Sequence, residues 1–552
     1  MRAAASLWIL MSFSIFGTAQ TIPFSTQKSA VFKDKYKQSV FVLAEKDHEG
    51  GMLFARYYES GGLAAGDGLY IEKYGSDLKL KKDFEFGTER PNYEKYNVIV
   101  GVFASENTIH VIDLYYDLNA KSVICRATDI DSDFRTSKKE LFRLGREELQ
   151  DLGSFSLQEI YFDRSKEMWS NSNSGDIKSE TDLSKSINTF PRINSNISMV
   201  VNASKTAFAI ALDIKQTRSK ELKVYLFDSH GNKKIDTHFT REMKDDKYIF
   251  ENIQVSDDGN AMYVLGKSYA EELKKKKEGA KYYFELTRIT AAAQKSLRIE
   301  PAQHFIGYLK PYMHDNEIVC LGFYSDFSDQ NYTGICHFKT DSDLTEVKSA
   351  KFNNFPGRFI IDKYGVPKDG KYKALTNLVL RNIHFMPNND VILSAEEEDI
   401  WTSSSGVGIG VGTKTKLTYN YDDIICARLT SEGELLWARN INKNQKRSDE
   451  DNFYISYTSI VKNDDAYFFI NADDEVKKFD DGRIEFGQVS KDKSNLNVLR
   501  VGTNGDFNYQ EILGNDENPI PFMVSKGIVI DNSVYFLGRK GQEKQLLKVV
   551  LN

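Results

Sequence analysis

Residues 253–265 read IQVSDDGNAMYVL, an apolar strand, a polar turn and a second apolar strand. The same unit occurs eight times along the 552 residues. Earlier copies are 39–55 (SVFVLAEKDHEGGMLFA), 96–116 (YNVIVGVFASENTIHVIDLYY) and 197–212 (ISMVVNASKTAFAIAL). Later ones are 306–321 (IGYLKPYMHDNEIVCL), 383–393 (IHFMPNNDVIL), 460–470 (IVKNDDAYFFI) and 524–537 (VSKGIVIDNSVYFL). Self-similarity at a period of tens of residues, all of it strand-like, predicts an all-β chain built by radial repetition, a β-propeller.

A second unit alternates with the first: a strand, a turn and a longer, more polar strand. It has seven complete copies, among them 224–239 (VYLFDSHGNKKIDTHF), 425–441 (ICARLTSEGELLWARNI) and 498–513 (VLRVGTNGDFNYQEIL). Gly231, Gly433 and Gly505 stand in these turns, where a tight hairpin needs positive φ. The first unit reads as the inner pair of a four-stranded blade, apolar on both faces. The second reads as the outer pair, whose last strand is half solvated.

Eight inner pairs meet seven outer pairs, and the chain stops on a single strand, 545–552 (QLLKVVLN). The missing partner is expected from residues 25–33 (STQKSAVFK), because an open blade would present an unpaired edge. The expected fold is therefore an eight-bladed propeller closed by an N-terminal strand. Seven blades, with one unit miscounted in the irregular stretch 143–196, is the alternative.

Residues 1–20 read as a secretory signal: one Arg, the apolar run 3–16 (AAASLWILMSFSIF), then small residues up to Gln20, with no Cys for a lipid anchor. Residues 21–552 read as one domain, since propellers grow by adding blades. No later stretch is apolar enough to span a membrane. A net charge of −6 with both signs interspersed gives no nucleic-acid footprint, and the basic run 274–277 reads as a solvated loop.

Four Cys in so long a chain do not make a disulfide framework. Cys125, Cys336 and Cys426 hold equivalent places in three outer units and read as small buried apolar residues. Cys320 and Cys336 would face each other in a hairpin centred near Ser328, which leaves two readings, a disulfide or two free thiols.

Length variation gathers in two connection types, from inner to outer pair and from blade to blade, which a propeller opens on one face. The long members include 143–196, 353–381, 396–423 and 472–496. Insertions gathered on one face of a repeat frame mark a binding face. The loop 396–423 (EEEDIWTSSSGVGIGVGTKTKLTYNYDD) sets Trp401, Tyr419 and Tyr421 beside Glu397, Asp399 and Asp422. Aromatics beside carboxylates suit a sugar platform or a protein contact, whereas the Gly-rich centre also suits a plain extended hairpin.

Asp129, Asp131, Asp133 and Glu140 fit positions of a calcium loop, but Phe134 stands where that loop needs Gly. The His residues show no zinc spacing, and no nucleophile elbow, phosphate loop or CxxC occurs. Neither a cofactor nor a metal is expected, and no catalytic residue is assigned.

Residues 430–439 (TSEGELLWAR) resemble the Gly-to-Trp docking motif of pyrroloquinoline-quinone propellers and of outer-membrane assembly propellers. The motif occurs once, so the resemblance implies the blade and not the cofactor. Residues 456–479, 492–507 and 521–549 resemble a group of uncharacterised exported propeller proteins of Bacteroidetes-type bacteria. That resemblance implies a periplasmic or envelope location and transfers no activity. Two functions compete: a non-enzymatic envelope protein that holds a protein partner on its decorated face, and a glycan-binding or glycan-active propeller.

Overall fold

The computed structural model describes residues 21–35, 39–59, 67–88, 95–117, 122–145, 195–215, 220–239, 248–269, 279–326, 331–366, 375–407, 411–472, 476–489 and 494–552. The expected signal segment and nearly all of 143–196 lie outside them. The described residues form an all-β chain of eight sheets, each with four core strands in antiparallel order. The first sheet runs from Ser39–Lys46 to Leu80–Gly87, the second from Lys95–Ser105 to Thr136–Leu144, and the third from Ser195–Val201 to Lys233–Phe239. The fourth spans Tyr248–Val255 to Gln294–Ile299, the fifth Phe305–His314 to Val347–Asn354, and the sixth starts with Leu378–Phe385. The seventh runs from Thr458–Lys462 to Phe507–Leu513, and the eighth begins with Ile528–Ile530. Every apolar unit of the sequence supplies the first two strands of one sheet.

The eighth sheet takes its outermost strand from the other end of the chain. Phe24–Lys28 pairs antiparallel with Glu543–Leu551, in the register Phe24↔Leu551 to Lys28↔Leu547. Phe32–Lys33 then pairs with Lys544 and Glu543.

Side chains alternate across each strand, so a strand that is apolar throughout buries one set of residues on each face of its sheet. In the sixth sheet Leu393, Ala395, Ile425 and Ala427 pack with Leu321, Phe323 and Ile335 of the fifth. Their neighbours Ile392, Ile424 and Cys426 pack with Phe468, Ile470 and Leu499 of the seventh. Clusters of this kind join every consecutive pair of sheets. One of them also joins the eighth sheet to the first, through Ile528, Tyr535 and Leu537 against Phe41 and Phe54.

The first strands carry a shared irregularity. In five sheets a register shift falls at Phe41/Leu43, Ile99/Gly101, Phe250/Asn252, Ile306/Tyr308 and Leu380/Asn382. Each bulge leaves one residue out of the ladder and turns it from its expected face. In the fourth and sixth sheets that residue is charged, Glu251 and Arg381.

The register expected for Cys320 and Cys336 needs correction, and of the two readings the free thiols stand. Cys320 lies opposite Phe338 and Cys336 opposite Gly322, two residues out of the register a bridge requires. The ladder is centred one residue beyond Ser328, and all four Cys are free and buried. Trp437 is half-buried on the fourth core strand of the sixth sheet, where its Nε1 donates to Thr503 O at 2.7 Å in the next sheet.

Candidate functional site

The stretch 396–423 is not a loop. The second and third strands of the sixth sheet, Val391–Val407 and Val411–Leu429, keep pairing far beyond the end of the first strand. They leave the sheet as a two-stranded ribbon in the register Glu398↔Tyr421, Ile400↔Tyr419 and Trp401↔Thr418. A register shift between Glu396 and Glu398 leaves Glu397, which pairs with Leu378 of the first strand, without a partner on the third strand at the ribbon's base.

The other two long connections of this region close on that base. In 353–381 the helix Gly357–Tyr364 presents Lys363, whose Nζ reaches Glu397 Oε2 at 2.7 Å and Asp423 Oδ2 at 2.6 Å. From 472–496, Arg483 Nη1 donates to Lys363 O at 2.9 Å, and Ile484–Phe486 adds a parallel strand beside Leu435–Lys443. Lys363 therefore ties together three segments that lie far apart in sequence.

Beneath the ribbon lies a second charge network. Glu396 is 0 % exposed. Its Oε2 accepts from Arg381 Nη2 at 3.0 Å and Ser456 Oγ at 2.6 Å, while Oε1 lies 2.8 Å from Lys443 Nζ. Arg381 Nη2 also donates to Glu398 Oε2 at 2.6 Å, and Lys443 Nζ donates to Tyr421 O at 2.6 Å. Two cations and two carboxylates cancel within this group, as buried charges require.

Lys526, in the short 3-10 turn Val524–Lys526 between the seventh and eighth sheets, stands apart from that balance. It keeps some surface but is densely surrounded. Its ammonium lies 5.5 Å from the centre of the Phe453 ring, and among the described residues it makes no ion pair. Burial, and then the nearby charge of Arg381, push its pKa down to about 8. Arg539 approaches the same Phe453 ring, at 5.9 Å.

The sequence-predicted residues do not form one platform. Trp401 is exposed, 38 % of its surface being open, with Lys446 Nζ 4.4 Å above its ring. On the same strand Asp399 accepts from Asn377 Nδ2. Tyr419 and Tyr421 are only 4 % and 8 % exposed and belong to the apolar cluster joining the eighth, first and second sheets. The reading of these tyrosines as surface aromatics is thus corrected: strand alternation within the ribbon turns them inward, away from Trp401. Glu397 is held by Lys363, and burial raises its pKa. Asp422 accepts from Asn420 Nδ2 at 2.7 Å and is likewise raised by burial.

Sequence reasoning missed Arg381, Lys443, Lys363 and Lys526. One signal was present: Arg381 is the lone charge in the strand LVLRNIHF. The bulge that makes room for it leaves no mark in the residues. The acids of the calcium-like spacing serve other partners. Asp129 meets His110 Nδ1 at 2.7 Å, Glu140 meets Arg143 at 2.7 Å, and Asp131 caps its own turn by accepting from the amides of Asp133 and Arg135. No group among the described residues is placed to hold a metal ion. No helix there is long and apolar enough to cross a membrane.

No family of known proteins matches the chain. No curated protein matches it either. Among solved structures it is similar to the polysaccharide lyase Uly1, at 10 % identity over 82 % of this chain and 90 % of that one, with a TM-score of 0.34. It is similar to the endosialidase of phage phi92, at 8 % identity over 90 % and 76 % of the two chains, TM-score 0.30. A third is the GH93 α-L-arabinofuranosidase of Fusarium graminearum with arabinobiose, at 8 % identity over 66 % and 95 %, TM-score 0.28. Likeness this distant assigns neither an activity nor a ligand to the chain.

Proposed function

We propose that the chain is an eight-bladed β-propeller, closed by its N-terminal strand, that recognises glycans on the face carrying the sixth-sheet ribbon. The eight sheets, their cyclic packing and the pairing of Phe24–Lys28 with the last strand support the blade count. The observation that carries the glycan reading is Trp401: a single open indole on a paired strand, fringed by Lys446, Asp399 and Asn377. A flat apolar ring ringed by hydrogen-bonding groups suits the CH face and hydroxyls of a sugar. A protein interface of stable size draws on several clustered anchors. The two tyrosines that would have joined Trp401 in one are buried, which weighs against the scaffold reading.

The apolar segment 3–16 and the similarity to exported Bacteroidetes-type propellers support work outside the cytoplasm, in the periplasm or cell envelope. Binding is the activity proposed. A glycan array read with the wild-type protein and with Trp401→Ala tests the proposal. Signals confined to oligosaccharides and lost in the variant are expected. An empty array, together with a specific envelope protein captured equally well by both forms, would replace it with the scaffold reading.

A further inference from the structure

At one end of the second sheet a serine, a histidine and an aspartate are hydrogen-bonded in a chain. Ser105 closes the first strand, Lys95–Ser105, His110 lies in the second, Thr108–Asp117, and Asp129 in the third, Ser122–Ile130. Ser105 Oγ is 2.8 Å from His110 Nε2, and His110 Nδ1 is 2.7 Å from Asp129 Oδ1. A carboxylate only accepts, so Nδ1 carries the ring proton and donates it to Asp129. Nε2 is left with its lone pair and accepts from the Ser105 hydroxyl. In this order of groups a histidine turns a serine into a nucleophile.

The pairs Phe103↔His110 and His110↔Asp129 set these residues on one face of the sheet. It is the face turned to the third sheet, where the rings of Phe103 and Phe208 lie 5.3 Å apart. The Phe103 ring also stacks on the imidazole at 4.6 Å, and His110 is buried, so the base is fixed and shielded from bulk water. Ser105 keeps some surface at the rim, and among the described residues its hydroxyl has no partner besides His110. The chain turns back there through Glu106 and Asn107, φ 47° and 65°, and neither amide enters a backbone hydrogen bond among the described residues. The amide after an attacking serine is one place where acyl-transfer sites put a donor for the developing oxyanion.

The blade frame does not require this set. The fifth and seventh sheets close the same two strands with the same two-residue turn. There the place of the serine is held by His314 and Lys462, that of the histidine by Val319 and Tyr467, and that of the aspartate by Lys339 and Arg500. Neither sheet sets a hydroxyl against a base.

We propose that Ser105, His110 and Asp129 form an esterase site for short acyl esters, a second activity that does not rest on the glycan reading. The site lies at the opposite end of the strands from the one that the sixth sheet extends into its ribbon. As Ser105 Oγ bonds to the ester carbonyl carbon, its proton passes to His110 Nε2. The bond from that carbon to the alkoxy oxygen then breaks, the departing oxygen takes the proton to leave as an alcohol, and the acyl group stays on Ser105. Water gives one proton to Nε2 and bonds to the acyl carbon. The Ser105 oxygen leaves, recovers that proton and frees the carboxylic acid. Asp129 is a positioning residue that holds the tautomer. The close packing of Phe103 and Phe208 beside Ser105 favours a short acyl chain.

A fluorophosphonate probe with mass mapping, and hydrolysis of p-nitrophenyl acetate and p-nitrophenyl laurate, test the proposal on wild type, Ser105→Ala and Asp129→Asn. The probe should label wild type at Ser105 and leave Ser105→Ala unlabelled. Acetate hydrolysis should fall about a hundredfold or more in Ser105→Ala, and labelling should slow by a similar factor in Asp129→Asn at an unchanged melting temperature. The laurate ester should be turned over far more slowly than the acetate. Should Asp129→Asn lose stability, Ser105→Ala, which removes only a half-buried hydroxyl, still decides. No label on Ser105, or acetate hydrolysis that persists in Ser105→Ala, overturns the inference and leaves the three groups as hydrogen bonds that hold the hairpin. Equal rates on the two esters overturn the short-chain assignment.

Discussion

The Asp34 carboxylate grips the guanidinium of Arg56 with both oxygens, at 2.6 Å to Nη1 and 3.1 Å to Nη2. Asp34 follows directly on the N-terminal strands that complete the eighth sheet, whereas Arg56 lies in the second strand of the first sheet. Glu72 takes the remaining face of the guanidinium at 2.8 Å from Nε, and Lys544 of the eighth sheet stands 3.9 Å from Asp34. All four groups are buried. One ion cluster thus clasps the first sheet, the last sheet and the segment that runs between them.

Breaking the clasp should open the fold where its two ends meet. Asp34→Ala leaves Arg56 and Lys544 short of one countercharge, and losing one partner of a buried ion pair costs about 3–5 kcal/mol. Chemical denaturation is expected to show that loss. Removing residues 21–33 should cost more, because it also bares the edge of the Glu543–Leu551 strand. Unchanged midpoints for both would mean that the terminal pairing contributes nothing to stability.

The hairpin turns of the outer strands lean on the preceding sheet, and glycine is what lets them approach. Gly433 has φ 86°, and a Cβ there would fall 2.3 Å from Nδ1 of His337. Gly505 has φ 79°, but its Cβ would stop 3.3 Å from Trp437, and at Gly482, φ 81°, it would meet nothing. Substitution by Ala should therefore cost least at Gly482, about 1 kcal/mol of backbone strain alone. Gly505→Ala should cost slightly more, and Gly433→Ala about 2–4 kcal/mol. Thermal melts of the three variants check the order.

A buried histidine and a half-buried glutamate set opposite pH responses. Burial lowers the His337 pKa to about 4, below its unfolded value, so the folded state resists protonation. The stability that this neutral His leaves intact above pH 6.5 should drain away as pH falls from there towards 4. Burial raises Glu251, the bulge residue of the fourth sheet, to about 7. Here the folded state holds the proton, so stability should fall as pH rises from about 4.5 to 7. Glu251→Gln should remove that decline and gain about 1–3 kcal/mol at neutral pH. His337→Leu should flatten the acid limb. Denaturation midpoints measured from pH 4 to 8 separate the two.

Trp437 joins the sixth and seventh sheets through its hydrogen bond to Thr503 O and its contact with the Gly505 turn. Trp437→Ala should cost about 1–3 kcal/mol, less than a fully buried tryptophan would. Glycan binding at Trp401 should be unchanged. A loss of binding without a loss of stability would move the working surface to the outer strands.

The sheets were legible in the sequence because each strand pair carries its own apolar pattern and turn, and the terminal pairing followed from counting strands without partners. The site was harder to read. The acids, aromatics and glycines of 396–423 look like a loop because nothing in the residues announces that Val391–Val407 and Val411–Leu429 keep their ladder. Once they do, alternation decides which aromatics face solvent, and it selects Trp401 while burying Tyr419 and Tyr421. Arg381 and Lys526 were invisible for a related reason: a bulge and a short turn place them, and neither has a sequence signature. That the connections 353–381, 396–423 and 472–496 belong near one another was readable from strand order. That Lys363 is the residue joining them was not.

The most direct measurement is a crystal structure of the protein with an oligosaccharide that it binds in solution. The account predicts a sugar ring stacked on the Trp401 indole, with hydroxyls towards Asn377, Asp399 and Lys446. An oligosaccharide bound elsewhere on the molecule, with the Trp401 ring left open to solvent, would contradict it.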